Sequence, residues 1–197
     1  MSEILVLYYS RYGNVAKMAN LVARGVESVE GMQARLRTVP EVSPNTESST
    51  PAVPNDGAPY VTEADFKTCS GLIVGSPTRF GNMAAAMKHC FDQLGSLWAS
   101  NTLVGKPAAV FTSTGSMHGG QESTLLSMMI PLFHLGYILV GQPYDEKALT
   151  ETRTGGTPYG PSHLAGEGAT NLPISDHEKT LCLSIGKRVA TVAKKLG

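Results

Sequence analysis

The sequence predicts an α/β fold, with five parallel strands in one doubly wound sheet of order 2-1-3-4-5 and helices on both faces. Three observations lead there. Short apolar runs at Ile4 to Tyr9, Gly71 to Gly75 and Pro107 to Phe111 are too brief for helices and suit strands buried on both faces. Each run is followed by a stretch with apolar residues at helical spacing. Alternation of this kind implies a parallel sheet covered on both sides. In such sheets ligands bind beyond the carboxyl ends of the strands, at the switch point between strands 1 and 3.

Taken in order, the first strand gives way to a turn at Ser10 to Asn14. Val15, Met18, Leu21, Val22, Val26 and Val29 then line one face of a helix that Gly31 ends. Met32 to Thr38 alternates weakly and reads as the second strand. The stretch 38–61 carries Pro40, Pro44, Pro51, Pro54 and Pro59 among small polar residues and reads as a long loop insertion. Thr62 and Asp65 are a capping pair for a short helix through Phe66. After the third strand, Pro77 to Asn82 is a turn, and Met83, Met87, Phe91 and Leu94 form the next buried stripe. After the fourth strand, Thr112 to Gln121 reads as a Gly- and Ser-rich loop. Leu125 to Phe133 reads as a helix kinked at Pro131. Tyr137 to Val140 is the fifth strand, and 141–173 reads as a second long irregular insertion. Ser175 and Glu178 make a capping box for a last helix lined by Leu181, Ile185, Val189, Val192 and Leu196, with Lys194 and Lys195 at its dipole-negative end. The expectation is one domain over 1–197.

Composition narrows the classes. Across 197 residues, 16 basic and 16 acidic side chains give no net charge. That argues against a generic nucleic-acid binder and against an acidic electron shuttle docking through surface charge. Cys69, Cys90 and Cys182 form no CxxC and are odd in number, so inert thiols in a reducing cytoplasm are expected rather than a disulfide framework or zinc site. His89, His163 and His177 show no metal-ligand spacing. No run of 18 apolar residues occurs and the start of the chain lacks a signal peptide's basic region and cleavage site, so neither a membrane association nor export is expected.

Three loops at the predicted switch point carry the chemistry. Ser10-Arg11-Tyr12-Gly13-Asn14-Val15 joins a buried strand to a helix start, where backbone N–H groups and the Ser10 hydroxyl would converge on an anion, best a phosphate. It contains neither GxxxxGK[ST] nor GxGxxG, which disfavours ATP and a classical dinucleotide site. Read blandly, it is a tight turn that needs Gly13 for its backbone. Ser76-Pro77-Thr78-Arg79-Phe80-Gly81-Asn82 could border a flat polar ring, or be a loop whose Phe80 packs on the core. Ser113-Thr114-Gly115-Ser116-Met117-His118-Gly119-Gly120-Gln121 has few bulky side chains, so its backbone can approach a ligand; otherwise it is a linker. Together the three loops point to a phosphorylated planar cofactor, for which flavin mononucleotide (FMN) fits best.

The string Val6 to Val15 resembles the FMN-phosphate loop of flavodoxin-like proteins, with Val15 where that loop often has Thr. Gly75 to Met83, Leu97-Trp98-Ala99-Ser100, Gly119-Gly120-Gln121-Glu122 and Gly155-Gly156-Thr157-Pro158-Tyr159-Gly160 resemble signatures of the WrbA-type NAD(P)H:quinone oxidoreductases, end to end. Ser116-Met117-His118 is bulkier than the Gly-rich form usual there. The resemblance implies that Ser10, Arg11, Tyr12, Gly13, Asn14 and Val15 hold the FMN phosphate. It implies that Thr78, Arg79, Phe80 and Ser113 to Gly119 (Ser113, Thr114, Gly115, Ser116, Met117, His118, Gly119) border the flavin. His134 matches a histidine reaching the site from a neighbouring subunit, with proton delivery as a possible role. Tyr12 matches a contact to the nicotinamide, and Trp98 one to the quinone. Taken alone, His134 reads as a half-buried helix-end histidine and Trp98 as a core anchor.

The implied activity is FMN-dependent two-electron reduction of quinones by NADH or NADPH, in ping-pong turnover through the flavin, with no side chain required as a nucleophile. A homotetramer and a part in protection from oxidative stress are implied with it. A flavodoxin-type one-electron carrier and a non-enzymatic protein-binding module are the alternatives.

Overall fold

In the computed structural model, residues 2–43, 53–166 and 171–197 are described. The sheet runs β2-β1-β3-β4-β5, with a sixth short strand paired to β4. Strands β1 (Ser2–Tyr8), β2 (Met32–Thr38), β3 (Gly71–Pro77) and β4 (Pro107–Thr114) are parallel neighbours in the expected order. Alternating side chains divide the core in two. Leu5, Leu7, Leu72, Val74, Ala108 and Val110 face one cluster, and Ile4, Val6, Ile73, Ala109 and Phe111 face the other. This two-sided burial is why β1, β3 and β4 each read as a continuous apolar run.

The second cluster is covered by α1 (Asn14–Glu27) and α7 (Asp176–Leu196). These helices meet at glycines. A Cβ on Gly25 would stand 2.1 Å from the Leu183 carbonyl oxygen, and one on Gly186 would stand 2.1 Å from that of Val22. Ile185 and Val22 are fully buried beside this crossing, and truncating such an aliphatic side chain to Ala costs about 2–5 kcal/mol. The first cluster is covered by α2 (Glu63–Thr68), α3 (Ala85–Asp92), α4 (Gly95–Ala99) and α5 (Gln121–His134), through Phe66, Met87, Leu97, Leu125, Met128 and Leu132.

Both capping pairs form. The Asp65 carboxylate accepts from the N–H and the hydroxyl of Thr62, each at 2.8 Å. Glu178 accepts from the Ser175 N–H at 2.8 Å, while the Ser175 hydroxyl accepts from the Glu178 N–H at 3.3 Å. The helix α5 continues through Pro131 to His134.

Three expectations are corrected. Ser113 and Thr114 belong to β4 and are buried rather than looped, because they pair with β6 (Ser162–Leu164). The stretch 141–173 is not irregular throughout: it holds α6 (Lys147–Glu151) and β6. Pairing with β4 makes β6 a strand despite its polar residues. The fifth strand, β5 (Ile138–Leu139), is only two residues long and pairs with Pro107 and Ala108 alone. Of the 38–61 loop, residues 44–52 lie outside the described residues. Its return is fixed by Thr38, whose N–H donates to Pro59 and whose carbonyl accepts from Val61.

Candidate functional site

A cavity of about 570 Å³ opens at the carboxyl ends of β1, β3 and β4, within the size range of small-molecule sites of ~300–1,000 Å³. The first loop supplies Ser10, Arg11, Tyr12, Asn14 and Val15 to its wall, the second Pro77, Thr78 and Arg79, and the end of β4 supplies Ser113, Thr114 and Gly115. Ala165, Gly166 and Asn171 close the remaining side. These last three were not foreseen, having no chemical signature in the sequence, whereas Pro77 belongs to the loop expected to border a flat ring.

One end of the cavity is built by the start of α1. Gly13 caps the helix in the left-handed region at φ 85°, with open space where a Cβ would stand; glycine is needed there for conformation, not clearance. First-turn N–H groups have no intrahelical partners. The Ser10 hydroxyl accepts from the Ala16 N–H at 3.2 Å, which leaves its own hydrogen to donate outward. No acidic side chain stands in the first turn of α1, so the positive end of the helix dipole is uncompensated by carboxylates. Arg11 lies 5.8 Å from the Tyr12 ring centroid, and Tyr12 is exposed at the cavity lip.

The second loop is a tight hairpin. Arg79 and Asn82 exchange backbone hydrogen bonds at 2.7 and 3.0 Å, and Phe80 and Gly81 between them both have positive φ, 53° and 77°. That is the backbone of a type I′ turn. It points the Phe80 ring into solvent, so Phe80 neither lines the cavity nor packs on the core. Thr78 is held from two sides: its hydroxyl lies 2.9 Å from that of Thr124 and donates to the Gly119 carbonyl at 3.3 Å.

In the third loop, glycines serve loop packing. A Cβ on Gly120 would fall 2.8 Å from the Gly81 Cα, and one on Gly119 would meet Ser116. Ser116, Met117 and His118 are exposed and, with Gly119, lie outside the cavity lining. Gly13 contributes conformation rather than surface. His134 is exposed at the end of α5 and Trp98 is 60% exposed on α4, neither lining this cavity. Trp98 is therefore not a core anchor.

The three cysteines are inert. Burial pushes the Cys90 thiol up to about 12 and raises those of Cys69 and Cys182 as well, so none is a thiolate at neutral pH. Among the described residues no three His, Cys, Asp or Glu side chains cluster as metal ligands, and no helix is long and apolar enough to cross a membrane.

The residues present fit FMN. A dipole-backed helix N-terminus with a hydroxyl donor suits its phosphate. Asn14 brings to the wall a buried Oδ1 without a hydrogen-bond partner, suited to accept from a ribityl hydroxyl. Thr78, Arg79 and the backbone at Ser113 to Gly115 offer polar groups to a flat ring.

A doubly wound sheet with such a cavity at its switch point defines a flavodoxin-like protein. More particularly, the chain belongs to the NADPH-dependent FMN reductase family, whose model matches residues 3–145. It is 44% identical over 206 aligned residues to an NAD(P)H dehydrogenase (quinone) of Chromohalobacter salexigens, covering 100% of this chain and 99% of that one. Among solved structures, the flavodoxin, WrbA-like protein of Agrobacterium tumefaciens superposes with a TM-score of 0.69 at 23% identity, covering 99% of each chain. Oxidised flavodoxin 1 of Bacillus cereus superposes with a TM-score of 0.62 at 18% identity, covering 96% of this chain and 98% of that one. These two likenesses speak for the fold.

Proposed function

We propose that the chain is an FMN-dependent NAD(P)H:quinone oxidoreductase. The observation that carries this reading is the single cavity that gathers the first loop, the second loop and the end of β4. The full-length relative named for quinone reduction supports it. Bound FMN supplies two-electron chemistry between a nicotinamide and a quinone, which is why no protein nucleophile is needed.

The chain's own residues bind and orient. Ser10 and the first turn of α1 hold the phosphate dianion, and Arg11 adds positive charge beside it. Thr78 is fixed by Thr124 and Gly119, so the groups bordering the ring on that side are pre-organised. Arg79, whose Nη1 donates to the Thr78 carbonyl at 2.8 Å, places a fixed cation at the cavity wall, suited to stabilise negative charge that develops there. Tyr12 offers an exposed aromatic face to the nicotinamide. Nicotinamide and quinone use the same mouth in turn.

The site is completed by a second copy of the chain in a homotetramer. Leu126, Ile130 and Phe133 are exposed on one face of α5 at helical spacing. Ser123 begins the same face and lies against Gly81, next to the exposed Phe80 ring. This apolar stripe ends at His134, so burying it against another protomer carries His134 toward that protomer. Trp98 is the quinone contact in this arrangement. Three free thiols suit the cytoplasm.

Initial rates with NADH or NADPH and benzoquinone test the reading. Rates that require FMN and give parallel double-reciprocal lines are expected. FMN binding without turnover on either nicotinamide would overturn the enzymatic reading in favour of an electron carrier.

A further inference from the structure

One carboxylate outside the cavity organises its wall. Glu178 is 1% exposed and accepts four hydrogen bonds. Its Oε1 takes the N–H of Gly155 and of Leu164, both at 2.9 Å, and its Oε2 takes the N–H of Ser175 at 2.8 Å. The fourth partner is His163 Nδ1, 3.0 Å from Oε2 and fully buried. An N-cap partner needs only the Ser175 bond; the other three bind the segment 155–164.

That segment leads directly into the cavity. Ala165 and Gly166 follow His163 and Leu164, and the Ala165 N–H donates to the Thr114 carbonyl at 2.8 Å. The same segment reaches the opposite wall. The Gly156 N–H donates to the Ser162 hydroxyl at 2.7 Å, and that hydroxyl donates to Gln121 Oε1 at the start of α5. One turn on, Thr124 holds Thr78. Gly155 must lack a side chain for this to form, since a Cβ there would stand 2.0 Å from the Ser162 carbonyl oxygen and 2.7 Å from Glu178 Oε1.

We propose that Glu178, acting through His163, is a positioning residue for the FMN cavity: it sets the Ala165–Gly166 wall and, through Ser162 and Gln121, the register of the loops opposite. The proposal rests on the FMN reading above. Neither residue touches the cavity itself. A charge with four well-formed donors in a buried site defines one backbone arrangement, because each donor left unpaired there is costly.

The test is the FMN dissociation constant of the full chain, measured by quenching of flavin fluorescence well below each variant's unfolding midpoint. E178Q and H163Q are expected to weaken FMN binding about tenfold or more, equivalent to ~1.4 kcal/mol. At saturating FMN they are also expected to alter the visible circular dichroism of the bound flavin. D65N is the control: it breaks a buried carboxylate of the α2 cap outside the cavity lining and is expected to lower the midpoint with unchanged affinity. E178Q and H163Q that lose thermal stability yet bind FMN as wild type, with an unchanged dichroism spectrum, would overturn the positioning role. H163Q keeps the test in force where E178Q does not fold. Wild-type protein that binds no FMN would remove both this inference and the function it rests on.

Discussion

Gly75 and Phe111 are neighbours in register on β3 and β4, and a Cβ on Gly75 would fall 2.1 Å from the tip of the Phe111 ring. The ring occupies the space that a side chain at position 75 would need. Overpacking of a closed core costs about 1–3 kcal/mol, so G75A is expected to lower the unfolding free energy by that order, read as a lower urea midpoint. F111L in the G75A background should recover part of the loss, giving a double-mutant coupling that F111L in the wild type does not predict. Additive losses in urea titrations would contradict this relationship.

Glu178 predicts an acid limb to stability. Burial raises its pKa, but the His163 hydrogen bond and the N–H groups of Leu164 and Ser175 outweigh that and hold it at about 2, against an ordinary 4.5. A carboxyl depressed in the folded state stabilises fully above its unfolded pKa and loses that contribution as pH falls through its folded one. Stability should therefore decline between pH 4.5 and about 2. In E178Q that decline should be shallower while stability at pH 7 is lower. Denaturant titrations at pH 7, 4 and 3 check both signs, and parallel pH profiles for the two proteins would count against the assignment.

The proposed homotetramer, with the α5 stripe as an interface, predicts a mass. Sedimentation equilibrium of the wild type should give four times the protomer mass. I130E places a charge in the middle of Leu126, Ile130 and Phe133, and a desolvated, unpaired charge opposes burial by several kcal/mol. The variant should sediment as a smaller species with its protomer still folded by circular dichroism. An unchanged mass would remove α5 from the interface.

The elements that sequence pattern made legible were those buried on both sides. The runs in β1, β3 and β4 pack against helices above and below, so their apolar content declared them. The two capping boxes were legible because both members lie three residues apart. The strand β6 was not, since Ser162 and His163 are polar and become strand only through Thr112, Ser113 and the distant Glu178. Ser113 and Thr114 were read as loop for the same reason: composition alone does not reveal that neighbours on both sides complete their backbone bonds. Phe80 was expected beside a flat ring from the loop's composition and the family resemblance, or on the core, whereas the two-residue turn it shares with Gly81 sets its direction. The cavity's first loop followed from the strand-to-helix junction, but its far wall at Ala165 and Gly166 depends on a contact across the fold.

The outer edge of β4 is divided between two short segments. Ile138 and Leu139 pair with its first two residues, and Ser162 to Leu164 with its last three. Between them, Gly160 packs on the Val110 carbonyl so closely that a Cβ would stand 2.1 Å away, and the Thr112 N–H donates to Pro161. A foreign strand therefore finds a two-residue ledge on β5 rather than a continuous row of free amides, too little to template growth. The arrangement protects this flank of the sheet against amyloid-like stacking and against strand-to-strand growth with other copies along it.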